Sequence, residues 1–162
     1  MLMRNEKTLK EVNAILGQIS KIMQVERSTF FLLNKEASTL ESLVAQGVKN
    51  SIISVPLGKG IVGTMFQNKK YMIENDAQNS NLFEKSYDKQ LHFVTKSVAC
   101  VPVFNEKGKP IGALQCLNKK DAVFTEKDVK ILNSFAAAIS LIIKNSELYL
   151  ASEHIKNNFS IH

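Results

Sequence analysis

Apolar residues recur near the start of the chain at Leu9, Val12, Leu16, Ile19 and Met23, in steps of 3, 4, 3 and 4. That spacing puts all of them on one helical face and predicts a helix over residues 3–24. Ile15 and Ile22 form a second stripe beside the first, so the helix can serve a sheet and a partner helix together. The period then changes. Ser28-Thr29-Phe30-Phe31-Leu32-Leu33 is rich in β-formers and predicts a strand. Residues 34–38 make a polar turn, and residues 39–45 make the returning strand of a hairpin. Residues 52–57 predict a further short strand and residues 71–73 a brief edge strand. The most strand-like segments are 97–104 and 111–117, joined by hairpin chemistry over 105–110. Pro102 cannot donate a ladder hydrogen bond, so it belongs at a bulge or an edge position.

The last helix is predicted to begin at Thr125. Thr125-Glu126-Lys127-Asp128 fits a capping box, with Thr125 as N-cap and Asp128 at the third helical position. Leu132, Phe135, Ile139 and Ile142 follow at helical spacing, and Ala136, Ala137 and Ala138 allow close packing. The pattern continues for roughly 50 Å of helix, more than a small domain can bury. Leu148, Tyr149, Leu150 and Ile155 therefore read as an outgoing signalling or dimer helix. The order of elements predicts an α+β fold with helices packed on one face of an antiparallel sheet.

A chain of 162 residues fits one hydrophobic core. No apolar run is long enough to span a bilayer, and the first residues lack a signal-peptide core, so the segment reads as cytoplasmic. The formal charge is +6, but the lysines are scattered and Arg4 and Arg27 are the only arginines. Readers of base sequence lean on arginine, so nucleic acid is not the expected partner. Cys100 and Cys116 sit in apolar strands and read as buried, reduced core residues. His92, His154 and His162 are far apart, and no metal or cofactor site is expected.

Gly58-Lys59-Gly60-Ile61-Val62-Gly63 matches G-x-G-x-x-G, but the surroundings are antiparallel hairpins and no βαβ unit follows. What remains is a glycine turn before a short helix, 61–67, whose amides of Ile61 and Val62 can face a phosphate. A tight turn alone explains the glycines equally well. The polar segment 76–96 carries Phe83, Tyr87 and Phe93. It reads either as a lid placing Asp88 and Thr95 over a ligand, or as a solvated helix with its aromatics tucked in. No nucleophile elbow, zinc-protease motif or P-loop occurs, which points away from a catalyst. Asp128 can reach back to Lys119 and brace the strand end against the last helix.

Asn118, Lys119, Phe124 and Asp128 resemble the Asn-Lys-Phe-Asp-Glu signature of GAF domains that sense cyclic nucleotides, with Val129 where the family often has Glu. The resemblance runs from about Leu9 to Tyr149, with residues 28–33 as the first strand and 55–63 as the glycine turn and helix. The subgroup most similar is that of cyclic nucleotide phosphodiesterases and class III adenylate and guanylate cyclases. Residues 155–160 resemble the segment that precedes a cyclase catalytic domain. The resemblance implies a central antiparallel sheet with the N- and C-terminal helices on one face and a helical lid and ligand pocket on the other, in three parts: an N-terminal helix (1–24), a GAF core (25–145), and an outgoing helix or linker (146–162) toward an effector domain outside this sequence.

It also implies a ligand site of Thr29, Ile61, Val62, Asp88, Thr95 and Gln115, taking cAMP in preference to cGMP. Several positions depart from the family. Ala45-Gln46 stands where a base-contacting Phe-Asp pair occurs, Glu84 replaces a lid Tyr, Leu91 a lid Thr, and Gln115 a pocket Glu. Bilin attachment is not implied, because Leu91 precedes His92, and the cysteines do not resemble those of the sulfoxide-reductase members. The implied function is a regulatory sensor, not an enzyme, that forms a homodimer through its terminal helices and controls an attached signalling enzyme such as an adenylate cyclase. The alternative is a scaffold with a degenerate pocket.

Overall fold

A computed structural model of the protein describes residues 5–47 and 52–159. Helix α1 spans Glu6–Met23. Asn5 caps it by accepting the Thr8 amide, and Gln24 ends it in a left-handed conformation with φ of 55°. The helix predicted from residue 3 thus starts later, at a side-chain cap; Met3 and Arg4 lie outside the described residues. The strands are β1 (Val25–Asn34), β2 (Thr39–Ala45), β3 (Ser54–Pro56), β4 (Met72–Glu74), β5 (Val98–Phe104) and β6 (Pro110–Lys119). Helices α2 (Gly60–Asn68) and α3 (Lys85–Leu91) lie between strands, and α4 spans Glu126–Phe159.

The six strands form one antiparallel sheet in the order β3-β2-β1-β6-β5-β4. β3 is shorter than predicted because only Ser54, Val55 and Pro56 find partners on β2. β4 starts one residue later than predicted, but it does form an edge. It pairs only with Val98–Cys100 of β5, so Pro102 lies beyond its end, where its missing N–H costs no ladder bond.

Strand alternation sorts the sheet into two faces. Phe30, Leu114, Cys116, Ala99, Val101 and Val103 face α1 and α4, where they pack with Val12, Leu16, Ile19, Leu132 and Ile139. Arg27, Thr29 and Phe31 of β1, with Gln115 and Leu117 of β6, face the other way. There Phe31, Ala113, Val98 and Cys100 meet Ile61, Val62, Met65 and Phe66 of α2.

Two features tie α4 into the fold. Near its middle, Ser146 accepts from Thr8 Oγ1 at 2.8 Å and from Asn5 Nδ2 at 2.8 Å, a buried polar pin between the terminal helices. At its start, Asp128 accepts the Thr125 amide at 2.9 Å, as the capping box requires. The helix continues unbroken for 34 residues, so the 145/146 boundary falls inside it. Beside its buried face runs a second stripe, Ile131, Ala138, Leu141, Asn145, Leu148 and Ile155, all exposed. The side chains of Tyr149 and Leu150 lie outside the described residues. Among the described residues, no helix is long and apolar enough to cross a membrane.

Candidate functional site

The pocket follows from the second face of the sheet. Thr29, Phe31, Val98, Gln115 and Leu117 form its floor. Gly60, Ile61 and Val62 at the start of α2 form one wall. The segment from Phe83 to Thr95 covers it with Phe83, Tyr87, Leu91 and Phe93. About 720 Å³ of space lies between these parts, some of it open to solvent. Each of the expected ligand residues, Thr29, Ile61, Val62, Asp88, Thr95 and Gln115, lines this one pocket. Thr29 and Gln115 are cross-strand partners at its centre.

The glycine run is explained by local geometry. Gly60 has φ of 67°, which other residues reach only with strain. A Cβ on Gly63 would lie 2.5 Å from the Pro56 carbonyl oxygen, so glycine lets α2 lie directly on β3. The first amides of α2 belong to residues that line the pocket, and they have no intrahelical acceptors, as at any helix start. Glu84 crowds this wall: its Cγ would be 3.5 Å from a Cβ at Gly60. Tyr87 donates to the Ser54 carbonyl at 2.8 Å, and burial, reinforced by the Glu84 carboxylate, raises its phenol above the ordinary value.

Asp88 and Thr95 meet each other rather than standing free. Asp88 accepts from Thr95 Oγ1 at 2.6 Å and from the Thr95 amide at 2.7 Å. Gln78 Nε2 donates to Asp88 at 3.3 Å and to the Thr95 carbonyl at 2.7 Å. The two side chains therefore latch the covering segment in this conformation. A ligand contact through either would share or replace these bonds.

Beyond Thr95 the cover is tied to the sheet. Asn118 Oδ1 accepts the amides of Lys96 at 2.6 Å and Ser97 at 3.1 Å. Its Nδ2 donates to the Val94 carbonyl at 2.8 Å and to Glu26 at 3.3 Å. Asn118 has φ of 60°, a region that asparagine tolerates better than most residues. The next residue, Lys119, forms a nearly buried ion pair with Asp128 of α4. Phe124 is buried, and its backbone exchanges two hydrogen bonds with Asn75. The Asn-Lys-Phe-Asp set thus joins cover, sheet and outgoing helix, and touches the pocket only through the cover.

Two residues of the site escaped the sequence reading. Arg27 lines the pocket, half-buried, with its guanidinium 4.0 Å from the Phe93 ring centroid. Among the described residues it has no carboxylate partner. Its position opposite Leu117 follows from the register of β1 against β6, and a single arginine in a strand carries no pattern to announce it. Gln46, noted in sequence only as a departure, also lines the pocket. Its Oε1 accepts from Ser20 Oγ at 2.6 Å, the Ser28 amide at 2.9 Å and Ser28 Oγ at 3.1 Å.

Comparison with known proteins agrees with this architecture. Residues 9–143 match the family described as "GAF domain". A dual 3',5'-cyclic-AMP and -GMP phosphodiesterase 11A of Takifugu rubripes is 32% identical over 127 residues, covering 77% of this chain and 14% of that protein. A cGMP-specific 3',5'-cyclic phosphodiesterase of Drosophila melanogaster is 28% identical over 152 residues, covering 83% of this chain and 14% of that protein. The chain thus spans a small part of these relatives. Among solved structures, a free methionine-R-sulfoxide reductase of Neisseria meningitidis has a TM-score of 0.75 at 17% identity, covering 91% of this chain and 84% of that chain. The GAF domain of an Acinetobacter phosphoenolpyruvate-protein phosphotransferase has a TM-score of 0.69 at 19% identity, covering 88% and 94%. At such identities the structures speak for the fold alone. On the match over residues 9–143, the chain belongs to the GAF domain family.

Proposed function

We propose that this GAF domain is a sensor whose covered pocket takes a cyclic nucleotide and whose terminal helices pass its occupancy to an attached signalling enzyme, a nucleotide cyclase or phosphodiesterase. The observation that carries this reading is the convergence of three parts on one cavity: the Thr29–Gln115 floor, the α2 start at Ile61 and Val62, and the aromatic cover. A helix start favours the cyclic phosphate, and Phe83, Tyr87 and Phe93 offer faces for a base. The names of the relatives, phosphodiesterases acting on cyclic AMP and cyclic GMP, support the ligand class. The exposed stripe on α4 runs in steps of 7, 3, 4, 3 and 7, with Asn145 at one inner position, the heptad spacing of a helix that pairs with a second copy. On this account the protein is a cytoplasmic homodimer.

One observation favours the scaffold reading instead. Asp88 and Thr95 already satisfy each other, and Glu84 sets a carboxylate beside the wall meant for a phosphate. Calorimetric titration with cAMP and, separately, cGMP decides between the two. The sensor reading expects saturable binding of at least one at about micromolar level or tighter. Absence of heat and of thermal stabilisation with both would leave the scaffold.

A further inference from the structure

The cover of the pocket has a second concavity on its outer side. About 1150 Å³ of space, open solvent included, lies against Lys85, Ser86 and Lys89 of α3 and against His92, Phe93 and Val94 beyond it. Asp88 and Phe93 line both this groove and the ligand pocket, so the two cavities share a wall. Tyr87, Asp88 and Leu91 are the α3 residues that line the ligand pocket. Lys85, Lys89 and His92 are left exposed, in steps of 4 and 3. Like charges four residues apart on a helix repel, so this arrangement works against α3 in isolation.

The chain does not neutralise this stripe. Among the described residues neither Lys85 nor Lys89 has an ion pair. Asp88 is the one carboxylate lining the groove, and it is already held by Thr95 at 2.6 and 2.7 Å and by Gln78 at 3.3 Å. Nearby Asp76 takes both of its bonds from Asn79 Nδ2, at 3.0 and 3.1 Å, and Glu84 lines the ligand pocket instead. The groove is therefore cationic and holds no free anion of its own.

Spacing and shape select the occupant. Lys85 and Lys89 are about one helical turn apart, roughly 6 Å along the axis. Alternate residues of an extended peptide point the same way and repeat at about 6.6–6.8 Å. Carboxylates at alternate positions therefore meet the two lysines in register, and Val94, 60% exposed, offers an apolar surface beside them. A bilayer needs an apolar face to insert, and this groove is concave with Val94 as its one strongly exposed apolar residue. Single-stranded nucleic acid needs free aromatic faces, but the Phe93 ring is already covered by Arg27 at 4.0 Å. From this geometry we infer that the outer face of the cover is a docking groove for an extended acidic peptide segment, with Asp or Glu at alternate positions. Through the shared wall, a seated peptide also holds the cover against the sheet.

The test titrates the whole chain into a fluorescent peptide of alternating Glu and Ser, about eight residues long, with a Gln-for-Glu peptide as its uncharged partner. A saturable rise in anisotropy is expected for the acidic peptide alone, weakening as salt is added. Hydrogen exchange should slow over residues 85–94 when it binds. Lys85→Glu with Lys89→Glu should weaken binding at least about tenfold. Lys127→Glu with Lys130→Glu, at exposed positions of α4, changes the net charge equally and should weaken it less than about threefold. Cooperative thermal unfolding verifies that each variant folds, and Lys85→Gln with Lys89→Gln replaces the reversed pair if that one does not. Equal losses at the two sites would show attraction to net charge alone and overturn the inference. Absence of saturable binding by the wild-type chain overturns it too, as does binding to phosphatidylserine vesicles or single-stranded DNA with none to the peptide. No nucleotide is present in these titrations, so failure here leaves the sensor reading untouched.

Discussion

Cys100 and Cys116 show how one residue's surroundings set its chemistry. Cys100 pairs across strands with Gln115, whereas Cys116 pairs with Ala99, so the two side chains leave opposite faces of the sheet. They cannot form a disulfide without rebuilding the strands. Burial pushes the Cys100 thiol up to about 12 and raises Cys116 as well. Both stay protonated when folded and ionise near the ordinary value of about 8.5 when unfolded. Their contribution to stability is therefore complete below that value and is lost as pH rises toward the folded value. At pH 8 a disulfide-exchange reagent should label neither thiol of the native chain and both in guanidinium, and stability should fall above about pH 9. Rapid labelling of one native thiol would contradict this. Residue identity was legible in sequence only where a pattern framed it. The two cysteines lie in apolar strands, which marks them as core, and both are buried. The resemblance implies Asp88 and Thr95 as ligand contacts, and sequence could not show that the chain also folds them onto each other.

At the scale of elements, the Lys119–Asp128 pair decides how the sheet meets α4. Side-chain exposures of 19% and 5% take it out of the class of surface pairs that contribute almost nothing. Asp128→Ala would leave a nearly buried lysine and the Thr125 amide without their acceptor. We expect a loss of about 2–4 kcal/mol in denaturant unfolding. Faster hydrogen exchange over the first turn of α4 should accompany it. A loss below about 0.5 kcal/mol would show that the pair is only incidental. Asn118 works beside it, with a left-handed backbone and four side-chain bonds, three of them to the segment that leads out of the cover. Asn118→Gly should keep the backbone conformation and lose the bonds, so it should destabilise less than Asn118→Ala, which loses both. Helix and strand periods announced these elements well, because the buried faces repeat in steps of 3.6 and 2. Their ends were less legible. β1 begins at Val25 rather than Ser28, and β3 shrinks to Ser54–Pro56, because strand ends depend on partners far away in the chain.

The whole molecule is a sheet with a helical pair on one face and a covered pocket on the other. A GAF domain is a regulatory unit rather than a catalyst, and here the two faces are linked physically. The cover is held by Asn118, Asn118 adjoins Lys119, and Lys119 holds α4. A ligand can use this linkage only if it binds two arrangements of the helices with different affinity. The exposed stripe on α4 belongs to the same scale, since nothing covers it among the described residues. Leu141 and Leu148 are each 59% exposed, so Leu141→Glu with Leu148→Glu should leave the fold intact and convert a dimer to a monomer in sedimentation. An unchanged mass would place the dimer contact elsewhere or remove it. Hydrogen exchange of the chain with and without saturating cyclic nucleotide tests the central claim most directly, because it locates the bound ligand. The account expects slower exchange in the first amides of α2, at Ile61 and Val62, and across residues 85–95 of the cover. Unchanged exchange in both regions, or slowing confined to α1 and α4, would contradict it.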